Sequence, residues 1–285
     1  MQHQSVLENW LRGIALALIV LFFMFPIFWI LLMSLQTNET ILRSPPSMVF
    51  SPTLSNYQAI FAGRLDSNAA SLDIRFLGNL WNSIILSVGS VGVALLFGVP
   101  AAYAFARYKF RGSEDIAFTL LSFRFAPPLL VLLPLTSYFQ TLGIADTYFG
   151  LIWVYQLICL PLILWIVRGY FEDIPADVEH AYRIAGHGWF ATFRNIALPL
   201  ARPGIAAAGL LAFIFAWNNF IFALVLASAD KQPVTVGALA FVTASGIQYG
   251  QIAAAVVLSI APTLALALYA QRYLVEGLSL GAVKG

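Results

Sequence analysis

Long apolar runs alternate with short polar interruptions along this chain. Stretches with few charges fall near 12–35, 77–106, 116–140, 148–170, 204–227 and 250–274. Each offers about 20 apolar residues, the length an α-helix needs to cross the hydrocarbon of a bilayer, and some leave room for tilt. Pro26, Pro100, Pro134 and Pro161 lie in or near the ends of these runs. Membrane helices tolerate them because neighbouring helices satisfy the freed carbonyls. The pattern predicts an all-α, polytopic membrane protein: one domain over 1–285 with six transmembrane helices. The first run, flanked by Arg12, resembles a secretory signal. Gly13 to Leu35 is longer than the roughly 7–15 apolar residues of such a signal and no small-residue cleavage site follows, so it is expected to be retained.

Composition agrees. The chain is 60% hydrophobic and 10% charged, where soluble domains carry about a quarter charged residues, and its mean hydropathy is +0.84. The net charge of +2 comes with no Lys/Arg cluster that alternates with aromatics, so nucleic acid is not an expected partner. The basic residues instead set orientation. With the N-terminus inside, the inner side holds Arg12, Arg107, Lys109, Arg111, Arg168, Arg183, Arg194, Arg202, Arg272 and Lys284, and the outer side holds Arg43, Arg64, Arg75 and Lys231. Both termini are then cytoplasmic, loop 36–76 and loop 228–249 are extracytoplasmic, and 171–203 faces the cytoplasm. The single cysteine, Cys159, sits within a span and reads as a small buried hydrophobe.

Two spans carry small residues at every fourth position: Ser90, Ala94, Gly98 and Ala102, then Gly204, Ala208, Ala212 and Ala216. Such stripes let helix backbones approach closely in lipid. Packing within the chain is favoured over a dimer seam.

No GxxxxGK[ST] motif occurs, and none of the three lysines follows a glycine, so no P-loop is present. No catalytic triad, HExxH or paired-carboxylate arrangement stands out, and His3, His180 and His187 lie in tail or loop. No acidic residue falls well inside a span, which argues against a proton- or sodium-coupled carrier. No catalytic residue, metal site or cofactor is expected.

Residues 171–203, FEDIPADVEHAYRIAGHGWFATFRNIALPLARP, form a polar island between two spans. Val178, Ala181, Tyr182 and Ala185 share one helical face, and Phe190, Phe193, Ile196 and Ala197 share a second. Gly186-His187-Gly188 permits a sharp turn between them, and Pro199 and Pro203 prevent simple continuation. The product is a bent pair of amphipathic helices, either offered to a soluble partner or lying in the membrane interface.

The island resembles the signature EAA loop of binding-protein-dependent ABC importer permeases: EAA, three residues, Gly, nine residues, then I-x-L-P. Gly186 matches the glycine, and Ile196, Leu198 and Pro199 match the ending. The family's Glu falls on His180, its alanines on Ala181 and Tyr182, and its common Asp on Ala185; Arg183 and Ile184 fit the usual filler, and Glu179 stands next to the missing acid. LSNYQAIF at 54–61, Ala126-Pro127-Pro128, LPLARPG at 198–204, AWNNF at 216–220 and GAVKG at 281–285 are similar to the carbohydrate-uptake, maltose-type branch. The resemblance implies a MetI-like permease fold in the bacterial inner membrane. It also implies a second homologous permease, two ATPase subunits that bind the ATP, an extracytoplasmic solute-binding protein and a sugar or sugar derivative as cargo. It makes 176–199 the coupling helices, with Glu179, His180, Ala181, Arg183, Gly186, Ile196, Leu198 and Pro199 as coupling residues. The same superfamily includes permeases for polyols, amino acids and phosphonates, and a carrier acting alone is the alternative from another class.

Arg124 is the one charge placed well inside a span. Its insertion costs about 2.5–3.5 kcal/mol if it meets lipid, so it is expected to face the interior or a wet cavity as a substrate donor. Otherwise it snorkels or caps carbonyls freed by Pro127 and Pro128. Asn218 and Asn219, with Trp217 beside them, and Gln156 are candidate pathway residues, since sugars need amides beside a flat apolar face. Hydrogen bonding between helices is the competing role.

Overall fold

The computed structural model describes residues 6–44, 49–63, 75–243 and 246–281. His3, Pro45, Pro46, Arg64 and the closing 282–285 lie outside the described residues, as does the side chain of Arg272. Apart from a two-residue antiparallel hairpin, β1 (Val242–Thr243) with β2 (Gly246–Ile247), the regular elements among them are helical. Trp10–Ser34, Phe76–Arg107 and Tyr249–Tyr269 are each long and apolar enough to cross a membrane, and three bent helix pairs pass the same test together.

The chain divides into two compact units. One comprises the described residues of Met1–Phe76 and Ala238–Ala261. Its α1 (Val6–Ser34) leaves its apolar side chains from Trp10 to Phe28 exposed. Polar groups fix the end of α1: Ser34 Oγ lies 2.8 Å from Tyr57 Oη, and Asn56 Nδ2 donates to the carbonyls of Ser34 and Gln36. The Tyr249 N–H donates to Asn38 Oδ1 at 3.0 Å.

The other unit comprises Leu77–Gly237 and the described residues from Pro262 onward. Its core is built on α2 (Phe76–Arg107), the later helix Gln156–Asp173, and Arg202–Trp217. Both small-residue stripes are buried here: Ser90, Ala94 and Ala102 on the first, Gly204, Ala208, Ala212 and Ala216 on the second. A Cβ at Gly98 would sit 3.0 Å from Ile163, and one at Gly209 would sit 3.7 Å from Leu95. The stripes therefore pack within the chain, as expected.

Three expected spans are broken. The run 116–140 becomes α3 (Ser113–Ser122), a tight turn at Phe123–Phe125, and α4 (Pro128–Thr141), bent by 97°. The cause is Pro127-Pro128: a residue before proline is driven out of the α region, and Ala126 and Pro127 are both extended, with ψ 128° and 120°. Next come α5 (Tyr148–Val154) and α6 (Gln156–Asp173), bent by 46°. After the island, named below as α7 and α8, the run 204–227 splits into α9 (Arg202–Trp217) and α10 (Ile221–Leu226) around Asn218–Phe220. At 1.5 Å per residue α9 is roughly 24 Å long, short of the ~30 Å hydrocarbon core of a bilayer. The final helix, α11, is Tyr249–Gly281.

Candidate coupling elbow and cleft

The island folds as α7 (Ala176–Ile184) and α8 (Trp189–Leu200). Asp177 and Glu179 in the first turn of α7 and Arg183 in its last complement the helix dipole. Gly186 has φ +93°, a left-handed conformation that side chains disfavour. Gly188 has φ −73° and needs no glycine. Within α8, the Leu198 N–H reaches the Phe193 carbonyl five residues back, a π-turn beside Pro199, which has no N–H to offer. The chain then turns by 72° into α9 at Ala201, between the two prolines of the motif.

Side chains clasp the bend. The Arg183 guanidinium lies 3.8 Å over the Trp189 ring, Tyr182 stacks on His187 at 4.0 Å, and Asn195 Nδ2 donates to Tyr182 Oη at 3.2 Å. The apolar positions of α7 turn outward. Val178, Ala181 and Ala185 are exposed, Ile184 is 87% exposed, and Phe190 on α8 is 74% exposed. His180 and Gly186 share this outer surface, while Arg183, Ile196, Leu198 and Pro199 are half-buried.

Glu179 departs from the expected set. Its neighbours are exposed, but it is 2% exposed and cannot serve as a surface contact. Oε2 accepts from Tyr103 Oη at 2.7 Å, and Oε1 accepts from Arg107 Nε at 2.8 Å. Arg107 Nη2 also donates to the Ile174 carbonyl at 2.9 Å. Burial of a carboxylate demands such partners, and the last turn of α2 supplies them. Sequence reading missed Tyr103 and Arg107 in this role. Their i, i+4 spacing, which puts both on one face at the end of an apolar helix, was the available signal. Nearby, Arg168 makes a bidentate pair with Glu114 and a second bond to Glu172. That hydrogen bonding holds the Glu114 carboxyl below its ordinary range.

The second site is a cleft of about 690 Å³ at the two helix breaks, lined by Arg124, Asn218, Asn219, Phe123, Phe215 and Phe220 among others. Arg124 is in the turn between α3 and α4, not within a continuous span, and its guanidinium lies 4.7 Å over the Phe215 ring. Asn218 Nδ2 donates to the Ile214 carbonyl at 2.8 Å, the same carbonyl that its backbone N–H reaches at 3.1 Å. Asn219 Oδ1 is buried with no hydrogen-bond donor among the described residues, and the Asn219 carbonyl accepts from Thr235 Oγ1. The structure thus brings Arg124, Asn218 and Asn219 together. It does not bring in Trp217, which is buried and stacks on Phe213 at 5.5 Å. Gln156 also lies outside the lining, its Nε2 bonded to the carbonyls of Ser90 and Ile152. No group of three or more metal-ligating side chains occurs among the described residues.

Residues 94–279 match the family model described as binding-protein-dependent transport system inner membrane component. The trehalose transport system permease protein SugB of Mycobacterium tuberculosis is 35% identical over 94% of this chain and 95% of its own. The trehalose/maltose transport system permease protein MalG of Thermococcus litoralis is 32% identical over 99% of each. In structure, the chain is similar to a chain of a bacterial ABC transporter involved in the import of the acidic polysaccharide alginate. That likeness has TM-score 0.75 and 23% identity, over 96% of this chain and 99% of that one.

Proposed function

The chain belongs to the family of binding-protein-dependent transport system inner membrane components, and from that premise we propose that it is the permease subunit through which an ATP-driven importer passes a sugar or sugar derivative. It works with a second homologous permease, two ATPase subunits that bind the ATP, and an extracytoplasmic binding protein that delivers the cargo. Both termini and the elbow face the cytoplasm, where α7 and α8 dock on the ATPase. The subunit performs no chemistry itself; it converts nucleotide-driven movement into movement of its helices.

The observation that carries this reading is the outward apolar surface of the elbow. Ile184 and Phe190 stand exposed while the acid beside them is turned in. An interfacial helix is typically rich in Lys and Arg on its polar face, and α7 instead mixes Asp177, His180 and Arg183. A groove on a soluble partner accounts for both the apolar contact and the mixed rim. Ile184→Cys in the assembled complex is expected to cross-link to the ATPase subunit with a short thiol reagent. Failure to cross-link, in a complex that still hydrolyses ATP, would refute the docking assignment.

Sugar as cargo is supported by the chemistry of the cleft. A guanidinium and two amides face aromatic walls, the combination that hydroxyl-rich rings with one apolar face require. The relatives named for trehalose and maltose support the same class. Arg124→Ala is expected to lower uptake about tenfold, the worth of one charge-assisted hydrogen bond, with normal assembly. Uptake by a deletion strain on a panel of sugars, polyols and amino acids, each with and without this change, checks both the class and the residue.

A further inference from the structure

We propose that Tyr103, Arg107 and Glu179 form an internal strut that makes α7 and the last turn of α2 move as one body, so that displacement of the elbow is delivered to the helix core. The inference rests on the elbow being the docking element. These three are positioning residues, without contact to ATPase or cargo.

Three features of the geometry carry it. First, the Arg107 guanidinium is a planar, rigid fork that holds two partners at once: Glu179 in the middle of α7 and the carbonyl of Ile174, where α6 ends. Second, the pair is shielded from solvent, with side-chain exposures of 12% and 2%. Pulling the two charges apart in that setting strands both, a far steeper penalty than sliding apolar surfaces past each other. Third, Tyr103 adds a hydrogen bond to the same carboxylate. Its ring packs edge-on against Phe171 of α6 at 5.2 Å and against Phe193 of α8 at 4.8 Å. Both arms of the elbow are thereby fastened to one turn of α2.

What lies beyond that turn gives the fastening a use. Further along α2, Val91, Leu95 and Gly98 pack on α9 and α6. At its far end α9 stops at Asn218, on the wall of the cleft. A shift of α7 thus has a continuous packed route to the substrate-facing residues. Cores are bistable rather than continuously deformable, so such a shift is passed on rather than absorbed.

A buried ion pair that only stabilises the fold would look the same at rest, so the test must separate stability from transmission. Spin labels at Leu96→Cys on α2 and Ile184→Cys on the elbow, both exposed positions, are placed in the complete transporter in lipid nanodiscs. Their separation is measured without nucleotide and after trapping with ATP and vanadate. In the parent complex a single separation is expected, unchanged between the two states. Arg107→Met and Glu179→Met alone should each lower the melting temperature by leaving one charge stranded. The double variant should recover it, yet its label separation should differ between the states by about 2 Å, the size of a helix shift. A double variant whose separation stays fixed would overturn the strut. If nucleotide leaves the mobility of the Ile184 label unchanged in the parent complex, the docking assignment fails instead, and the strut with it.

Discussion

Gly204→Ala is expected to destabilise this protein, although alanine is the better helix former. A Cβ at this position would lie 2.1 Å from Cγ of the Tyr170 ring and 2.3 Å from Cδ2, far inside van der Waals contact. Cγ is the root of the ring, so relief requires moving the whole side chain or parting α9 from α6. Overpacking of this kind costs about 1–3 kcal/mol, and Gly204→Val should cost more. The melting temperature of the purified complex and the amount of chain retained in the membrane are the measurements. Gly92→Ala provides the control: it lies in α2 with nothing within 4 Å of the new methyl group, and should gain about 0.5–1 kcal/mol from helix propensity. Pairing Gly204→Ala with Tyr170→Ala should recover most of the loss. If all three changes behave alike, the close approach of α9 to α6 is wrong.

Gly186→Val should fail differently: the protein still inserts, at some cost in stability, but ATP hydrolysis is uncoupled from uptake. No atom stands within 4 Å of a Cβ at Gly186, so the effect is confined to the backbone at φ +93°. An L-residue pays about 1–2 kcal/mol there, more if β-branched, and the turn relaxes by changing the angle between α7 and α8. In the docking proposed above, that angle is what the ATPase grips. Uptake per ATP hydrolysed should fall about tenfold, within the usual range of coupling between sites. Gly188→Val, at φ −73° with equal space around it, should couple normally. Equal coupling in both variants would show that the bend transmits nothing.

Features governed by spacing were legible in the sequence. The small-residue stripes declared which faces of α2 and α9 would meet neighbours, and the single positive-φ glycine of the elbow fell where the motif placed it. The misses share one physical origin. An apolar face is ordinarily a buried face, yet on α7 the apolar positions are outward and the acid is inward. Local periodicity cannot reveal that Tyr103 and Arg107, more than seventy residues earlier, lie under Glu179. The breaks at Ala126 and Asn218 were hidden by hydropathy, which stays high through both. Pro127-Pro128 carried enough stereochemical information to predict the first break. The second has no such marker: Asn218 and Asn219 read equally well as polar spots on an unbroken helix, and Trp217 seemed part of a sugar platform until its ring proved to be core.

The Arg107–Glu179 pair also constrains how this protein can drift. Neutralising either partner alone leaves its mate charged, dry and without a counter-ion, a loss of about 3–5 kcal/mol, whereas exchanging both for apolar groups of similar bulk is close to neutral in stability. The viable route between those end points passes through an intermediate that few marginally stable proteins survive. The two residues, seventy-odd positions apart in the gene, are therefore bound to be inherited as a unit or lost as one.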